Sequence, residues 1–96
     1  MKKAYWVCIF EKIDNTEKLK KYAIKAKPAI EKFNGKFLAR GGKSRTNEGI
    51  ESPRVVVVEF PNYETAKECY DSKEYQEAHS ILEGHVARHH QIVEGY

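Results

Sequence analysis

The sequence predicts an α+β fold, a ferredoxin-like βαββαβ sandwich in which a four-stranded antiparallel sheet carries helices on one face. Three observations predict it. Segments of strand composition and segments of helical apolar periodicity follow one another as strand, helix, strand, strand, helix, strand. No linker and no low-complexity tract interrupts the 96 residues, so residues 1–96 read as a single domain. The first and third strands are apolar in both side-chain columns, whereas a sheet wetted on one side alternates apolar with polar.

Ala4–Phe10 is an unbroken apolar run of seven residues, rich in aromatic and β-branched side chains, and reads as the first strand. Asp14-Asn15-Thr16-Glu17 follows. Asp14 with an acid three residues on is a variant of the capping box and starts a helix. Apolar residues recur at Leu19, Tyr22, Ala23, Ala26, Ala29, Ile30 and Phe33, steps of three and four that form one stripe, while lysines solvate the other side. Pro28 removes a backbone donor and crowds the carbonyl of Ile24, so a bend is expected there. Asn34-Gly35 provides a left-handed stop, Lys36–Arg40 is the second strand, and Gly41-Gly42 ends it.

Residues 43–53 form a polar connection with Asn47, Gly49 and Pro53 as turn formers, and are expected to be the most mobile segment. Arg54–Phe60, with four consecutive valines, is the third strand. Asn62 caps the next helix, whose inner stripe carries Ala66, Cys69 and Tyr70. Asp71-Ser72 marks a second cap. The short helix after it carries Tyr75, Ala78, His79 and Leu82 and ends near Gly84, and Gln91–Glu94 is the final strand.

Read as columns, the first strand places Tyr5, Val7 and Ile9 on one face and Ala4, Trp6, Cys8 and Phe10 on the other. In the third strand Val55 and Val57 alternate with Val56, Val58 and Phe60, and the first acid is Glu59. The helices cover one face only. Each large side chain buried on the other gains about 1.5–3 kcal/mol, so a homodimer joined through the open sheet face is expected.

Composition narrows the function. Cys8 and Cys69 are far apart with no C-x-x-C, which points away from a disulfide scaffold or a thiolate zinc site and toward reduced thiols. No apolar run approaches the ~18 residues of a membrane span. Met1-Lys2-Lys3 and the apolar run lack a small-residue cleavage site, so a cytoplasmic location without membrane association is expected. The net charge of +3 and a lysine-rich helix face without interleaved aromatics argue against a nucleic-acid partner.

Asn34-Gly35, Phe37-Leu38-Ala39-Arg40-Gly41-Gly42, Val56-Val57-Val58-Glu59-Phe60-Pro61, Tyr70-Asp71-Ser72-Lys73-Glu74-Tyr75-Gln76 and Val93-Glu94-Gly95 together resemble the bacterial domain-of-unknown-function family 1330. The resemblance runs along nearly the whole chain. It implies a branch of the dimeric α/β-barrel superfamily, with relatives among cofactor-independent monooxygenases, muconolactone isomerases and stress-responsive barrel proteins, and it implies the homodimer. It implies no particular reaction. The family pattern carries an arginine seven positions after the tyrosine matching Tyr75, and this chain has Leu82 there, which removes any anion-binding role tied to that arginine.

Arg40 ends a strand beside two glycines, where a guanidinium can meet a carboxylate bidentately. Glu59 is a candidate base if buried, or the partner of a basic group such as Arg40. His79 shares a helical stripe with Tyr75 and Leu82; it reads first as a core histidine satisfied by a backbone carbonyl, and of the four histidines it is the one placed to line a cleft. His85 and His89 are four apart, but Gly84 and the approaching strand argue against the helix that would join them, so no metal site is expected. Tyr5, Trp6, Tyr22, Tyr70 and Tyr75 supply aromatic walls with polar tips, of which Trp6, Tyr22, Tyr70 and Tyr75 are the candidate ligand contacts. Cys8 has no evident activating partner, and Cys69 reads as helix packing. There is no G-x-S-x-G, no P-loop and no dinucleotide fingerprint, and no cofactor is expected.

The expected function is therefore binding of a small organic ligand in the cleft between sheet and helices. Two rivals stand beside it. One is a cofactor-independent monooxygenase or isomerase acting on a small aromatic or enolisable compound, with Arg40 holding an anionic group and a tyrosine, His79 or Glu59 moving a proton. The other is a dimeric interaction module without catalysis.

Overall fold

A computed structural model describes all residues from Met1 to Tyr96. Strand β1 (Ala4–Ile13) leads into helix α1 (Thr16–Lys32), then β2 (Lys36–Arg40), β3 (Arg54–Phe60), helices α2 (Tyr63–Asp71) and α3 (Lys73–His79), a 3-10 turn at Ser80–Leu82, and β4 (Val86–Glu94). The strands form one four-stranded antiparallel sheet in the order β2-β3-β1-β4. The helices lie on one face, giving the ferredoxin-like α+β sandwich that the element order predicts.

Local chemistry explains most boundaries. Asn15, not Asp14, caps α1: its side-chain oxygen accepts the Lys18 amide at 3.1 Å. Asp14 is otherwise engaged, because its own amide donates to the His85 carbonyl at 2.8 Å and ties the end of β1 to the start of β4. The helix runs past Pro28 to Lys32 without interruption, with the proline on its exposed side. It closes in a Schellman motif, in which Asn34 (φ 62°) donates to Glu31 and Gly35 donates to Ile30. Asn62 and Ser72 cap α2 and α3 through bonds to the Thr65 and Tyr75 amides.

Two strands outrun the sequence expectation. β1 continues to Ile13 through an irregularity between Phe10 and Lys12, and β4 starts at Val86 rather than Gln91. The added part of β4, Arg88-His89-His90, is polar and has no strand signature of its own, so pairing with β1 makes it a strand.

The register sorts the columns. Ala4, Trp6, Cys8 and Phe10 of β1 face the helices, alongside Val56, Val58 and Phe60 of β3, and all four of the β1 residues are buried. Trp6 is central: its ring packs against Phe60, Tyr70, Tyr75 and His90, and its indole N–H donates to the Ala66 carbonyl at 3.0 Å. On the other face Tyr5, Val7, Ile9, Val55, Val57 and Val93 form an uncovered apolar surface, with Ile9 38% and Val93 47% exposed. In the connection after β2, Ser52 bonds to the carbonyls of Phe10 and Arg54 and so pins the loop to the sheet.

Candidate functional site

Across the sheet, Phe10 on β1 is registered with Arg54 on β3 and with Arg88 on β4. Period-two alternation sends Cys8, Phe10, Arg54 and Arg88 to the helix-covered face. From above, α1 contributes Tyr22 and α3 contributes Tyr75. The result is a compact polar cluster between sheet and helices.

Arg88 is its centre. One guanidinium nitrogen donates to the Tyr75 hydroxyl at 2.8 Å, and the other to the Cys8 sulfur at 3.2 Å and to the Tyr22 hydroxyl at 3.4 Å. The Tyr22 and Tyr75 hydroxyls also bond to each other at 2.8 Å. Two phenols hold two protons and one is consumed between them. With Tyr75 donating to Tyr22, the half-buried Tyr22 keeps an O–H free to donate outward.

Electrostatically the cluster is cationic and unbalanced. All six ion pairs of the chain use lysine, so Arg40, Arg54 and Arg88 have no carboxylate at ion-pair distance. Burial opposes the Arg88 charge, but Tyr22, Tyr75 and Cys8 hold it above the usual guanidinium range. Burial pushes the Tyr75 phenol well up, Tyr22 adds to this, and Arg88 opposes it. Tyr75 is thus a neutral donor rather than a phenolate. The Cys8 thiol is also raised by burial, against the pull of Arg88, and stays protonated.

Two histidines border the cluster. His90, registered with Cys8, faces the helices, stacks on Trp6 and Tyr70, and has a buried Nε2 without a hydrogen-bond partner. Burial and the positive Arg88 lower it to about 4. His79 on α3 lies beside Tyr70 and Tyr75 and is lowered by burial and then by Arg88. An open pocket of about 400 Å³ reaches the cluster from outside, with His79, Leu82, Val86 and Arg88 in its wall and the carboxylates of Glu11 and Glu83 also lining it, neither at ion-pair distance from Arg88.

The structure packs Tyr22, Tyr70, Tyr75 and His79 against one another and places Trp6 behind them, its N–H spent on Ala66; of these, only His79 lines the open pocket. Arg40 is exposed on the edge strand β2, outside the pocket wall, with its guanidinium over Phe37 at 4.5 Å and donating to the Ala23 carbonyl at 3.2 Å. Glu59 lies on the opposite face, where it pairs with Lys3 at 3.0 Å and accepts from Tyr5; it does not pair with Arg40. His89 also faces the open side, bonded to Gln91, so the histidines do not converge. Sequence reasoning missed Arg88, Arg54 and His90, and saw no partner for Cys8. The available signal was alternation within Arg88-His89-His90-Gln91, which places Arg88 and His90 on one face once that stretch is taken as a strand.

By sequence, no curated protein matches this chain. Solved structures of the same fold do. A protein of unknown function from Rhodopseudomonas palustris superposes with a TM-score of 0.78 at 15% identity, covering 99% of this chain and 83% of the other. SnoaB, a cofactor-independent oxygenase from Streptomyces nogalater, superposes with a TM-score of 0.71 at 9% identity, covering 100% and 95%. A dimeric ferredoxin-like protein of unknown function from Bacteroides fragilis superposes with a TM-score of 0.58 at 19% identity, covering 97% and 96%. These likenesses carry the fold. Family membership rests on the sequence: residues 3–96 match the domain of unknown function DUF1330, and the chain belongs to that family.

Proposed function

We propose that this chain is a small homodimeric binding protein that holds an organic anion in the cleft between the sheet and helices α1 and α3, with Arg88 as the anchoring cation. One observation carries the reading: a half-buried guanidinium whose partners, Tyr22, Tyr75 and Cys8, are all uncharged. A cation withdrawn from water without a counterion is costly, and an incoming carboxylate supplies the missing charge. Tyr22 offers a further donor, His79 stands in the pocket wall against Tyr70, and Arg40 lies outside that wall on β2. Trp6 supports the wall from the core, and Glu59, on the other face, takes no part in the cleft. The uncovered apolar sheet face supports pairing of two copies, which places Glu59 and Tyr5 near the subunit boundary.

A second reading is favoured by the position of His79. It shares a pocket wall with Arg88 and is held neutral by burial, so it can accept a proton from an enolisable acid bound on Arg88. That would be turnover without a cofactor.

Thermal shift tests the binding reading with matched probes, benzoate against benzamide and butyrate against butyramide. The acids raise Tm and the amides do not, and Arg88→Gln abolishes the difference. Equal shifts from acid and amide sink the proposal. Turnover of an enolisable acid that survives His79→Gln removes the second reading.

A further inference from the structure

The helix-facing end of the sheet holds more positive charge than one carboxylate needs. Arg54 stands across β1 from Arg88, with Phe10 between them in the register. Both guanidinium groups lie against that one ring, Arg88 at 5.5 Å and Arg54 at 6.0 Å from its centroid. Cation–π contact with the ring holds a guanidinium without using its N–H groups as donors.

Arg54 is the less satisfied of the two. Its Nε is buried without a hydrogen-bond partner, and no carboxylate pairs with it. Burial and then repulsion from Arg40 act against its charge, so a third guanidinium is close enough to be felt. The chain also makes room for this side chain. Gly41 adopts φ 70°, and a Cβ there would stand 2.9 Å from the Arg54 guanidinium carbon.

We infer that the ligand of this site carries two acid groups, one held by Arg88 and the other by Arg54, the pair of guanidinium groups spanning Phe10. The inference rests on the anion-binding reading above. The two forks rise from strands about 10 Å apart on either side of β1, a spacing that suits two carboxylates of one small molecule better than a single phosphate.

Calorimetric titration of the whole chain at low salt tests this with glutarate against butyrate, isophthalate against benzoate, and inorganic phosphate. In the wild type each dicarboxylate binds about tenfold or more tightly than its monocarboxylate. Arg54→Gln brings the ratio near one, and Arg54→Lys restores part of it. Equal affinities within each pair, an unchanged ratio in Arg54→Gln, or phosphate binding as tightly as glutarate overturns the two-acid inference and leaves the anion reading standing. Failure of every carboxylate to bind overturns the anion reading and this inference with it. Should Arg54→Gln not fold, the wild-type pairs and Arg54→Lys still decide.

Discussion

Arg88 donates to the Tyr75 hydroxyl at 2.8 Å and has no carboxylate at ion-pair distance. The bond joins the last strand to the last helix, and Tyr75 is fully buried, so its hydroxyl cannot turn to water if Arg88 is removed.

Tyr75→Phe removes one oxygen that serves Arg88 and Tyr22 together. The expected cost is about 1–3 kcal/mol, because a charged donor loses its shortest partner. Tyr22→Phe costs less, since Arg88 reaches that hydroxyl only at 3.4 Å and Tyr22 is half-buried. Urea denaturation of the two single variants and the double variant measures both, and a coupling energy near zero would show that the hydroxyls act independently.

His90 makes stability pH-dependent. Its value of about 4 in the fold lies below the usual 6.5, because burial and then Arg88 and His79 oppose its charge. The unfolded chain takes up a proton as pH falls through 6.5, but the fold resists until about 4. Its contribution is therefore complete above the unfolded value and is lost as pH falls toward the folded one. The whole loss amounts to about 3 kcal/mol. The unfolding free energy should decline from pH 7 to pH ~4.5, and His90→Gln should flatten that slope. A variant profile parallel to the wild type would assign the slope to other groups.

Gly35→Ala is expected to destabilise by roughly 1–3 kcal/mol through overpacking. A Cβ at that position would meet the Ile30 side chain and stand 2.9 Å from both the Ile30 carbonyl and the Phe60 ring. Thermal unfolding reads the effect. Gly42→Ala is the control, since a Cβ there meets nothing within 4 Å.

Val57→Lys tests the homodimer. Val57 lies in the middle of the uncovered face, opposite Val7 and next to β2. Sedimentation at micromolar concentration should give twice the chain mass for the wild type. The variant's dissociation constant should rise by about two orders of magnitude, since a buried lysine lacks a partner there. A wild type that sediments as a monomer contradicts the assembly.

Most of the fold was legible because its signals are local. The cap at Asn62 bonds an amide three residues on, and the stop at Asn34-Gly35 closes on Glu31 and Ile30. β4 was only partly legible. Its polar first half has no strand composition, and it became a strand by hydrogen bonding to β1. The start of α1 shifted from Asp14 to Asn15 for a similar reason, the Asp14 amide being taken by His85.

The sequence by itself determined the order of elements, the two apolar columns of β1 and β3 and the membership of Tyr22, Tyr70, Tyr75 and His79 in inward stripes, because periods of two and 3.6 act over a few residues. Tertiary structure alone decided which charges meet those phenols. Arg88 and Cys8 are 80 positions apart and Tyr22 and Tyr75 are 53 apart. Strand register brings the first pair together and the packing of α1 on α3 the second. One residue of slip would send Arg88 to the open face and Glu59 to the cleft. The site depends on that register, which is set by how all four strands share one core.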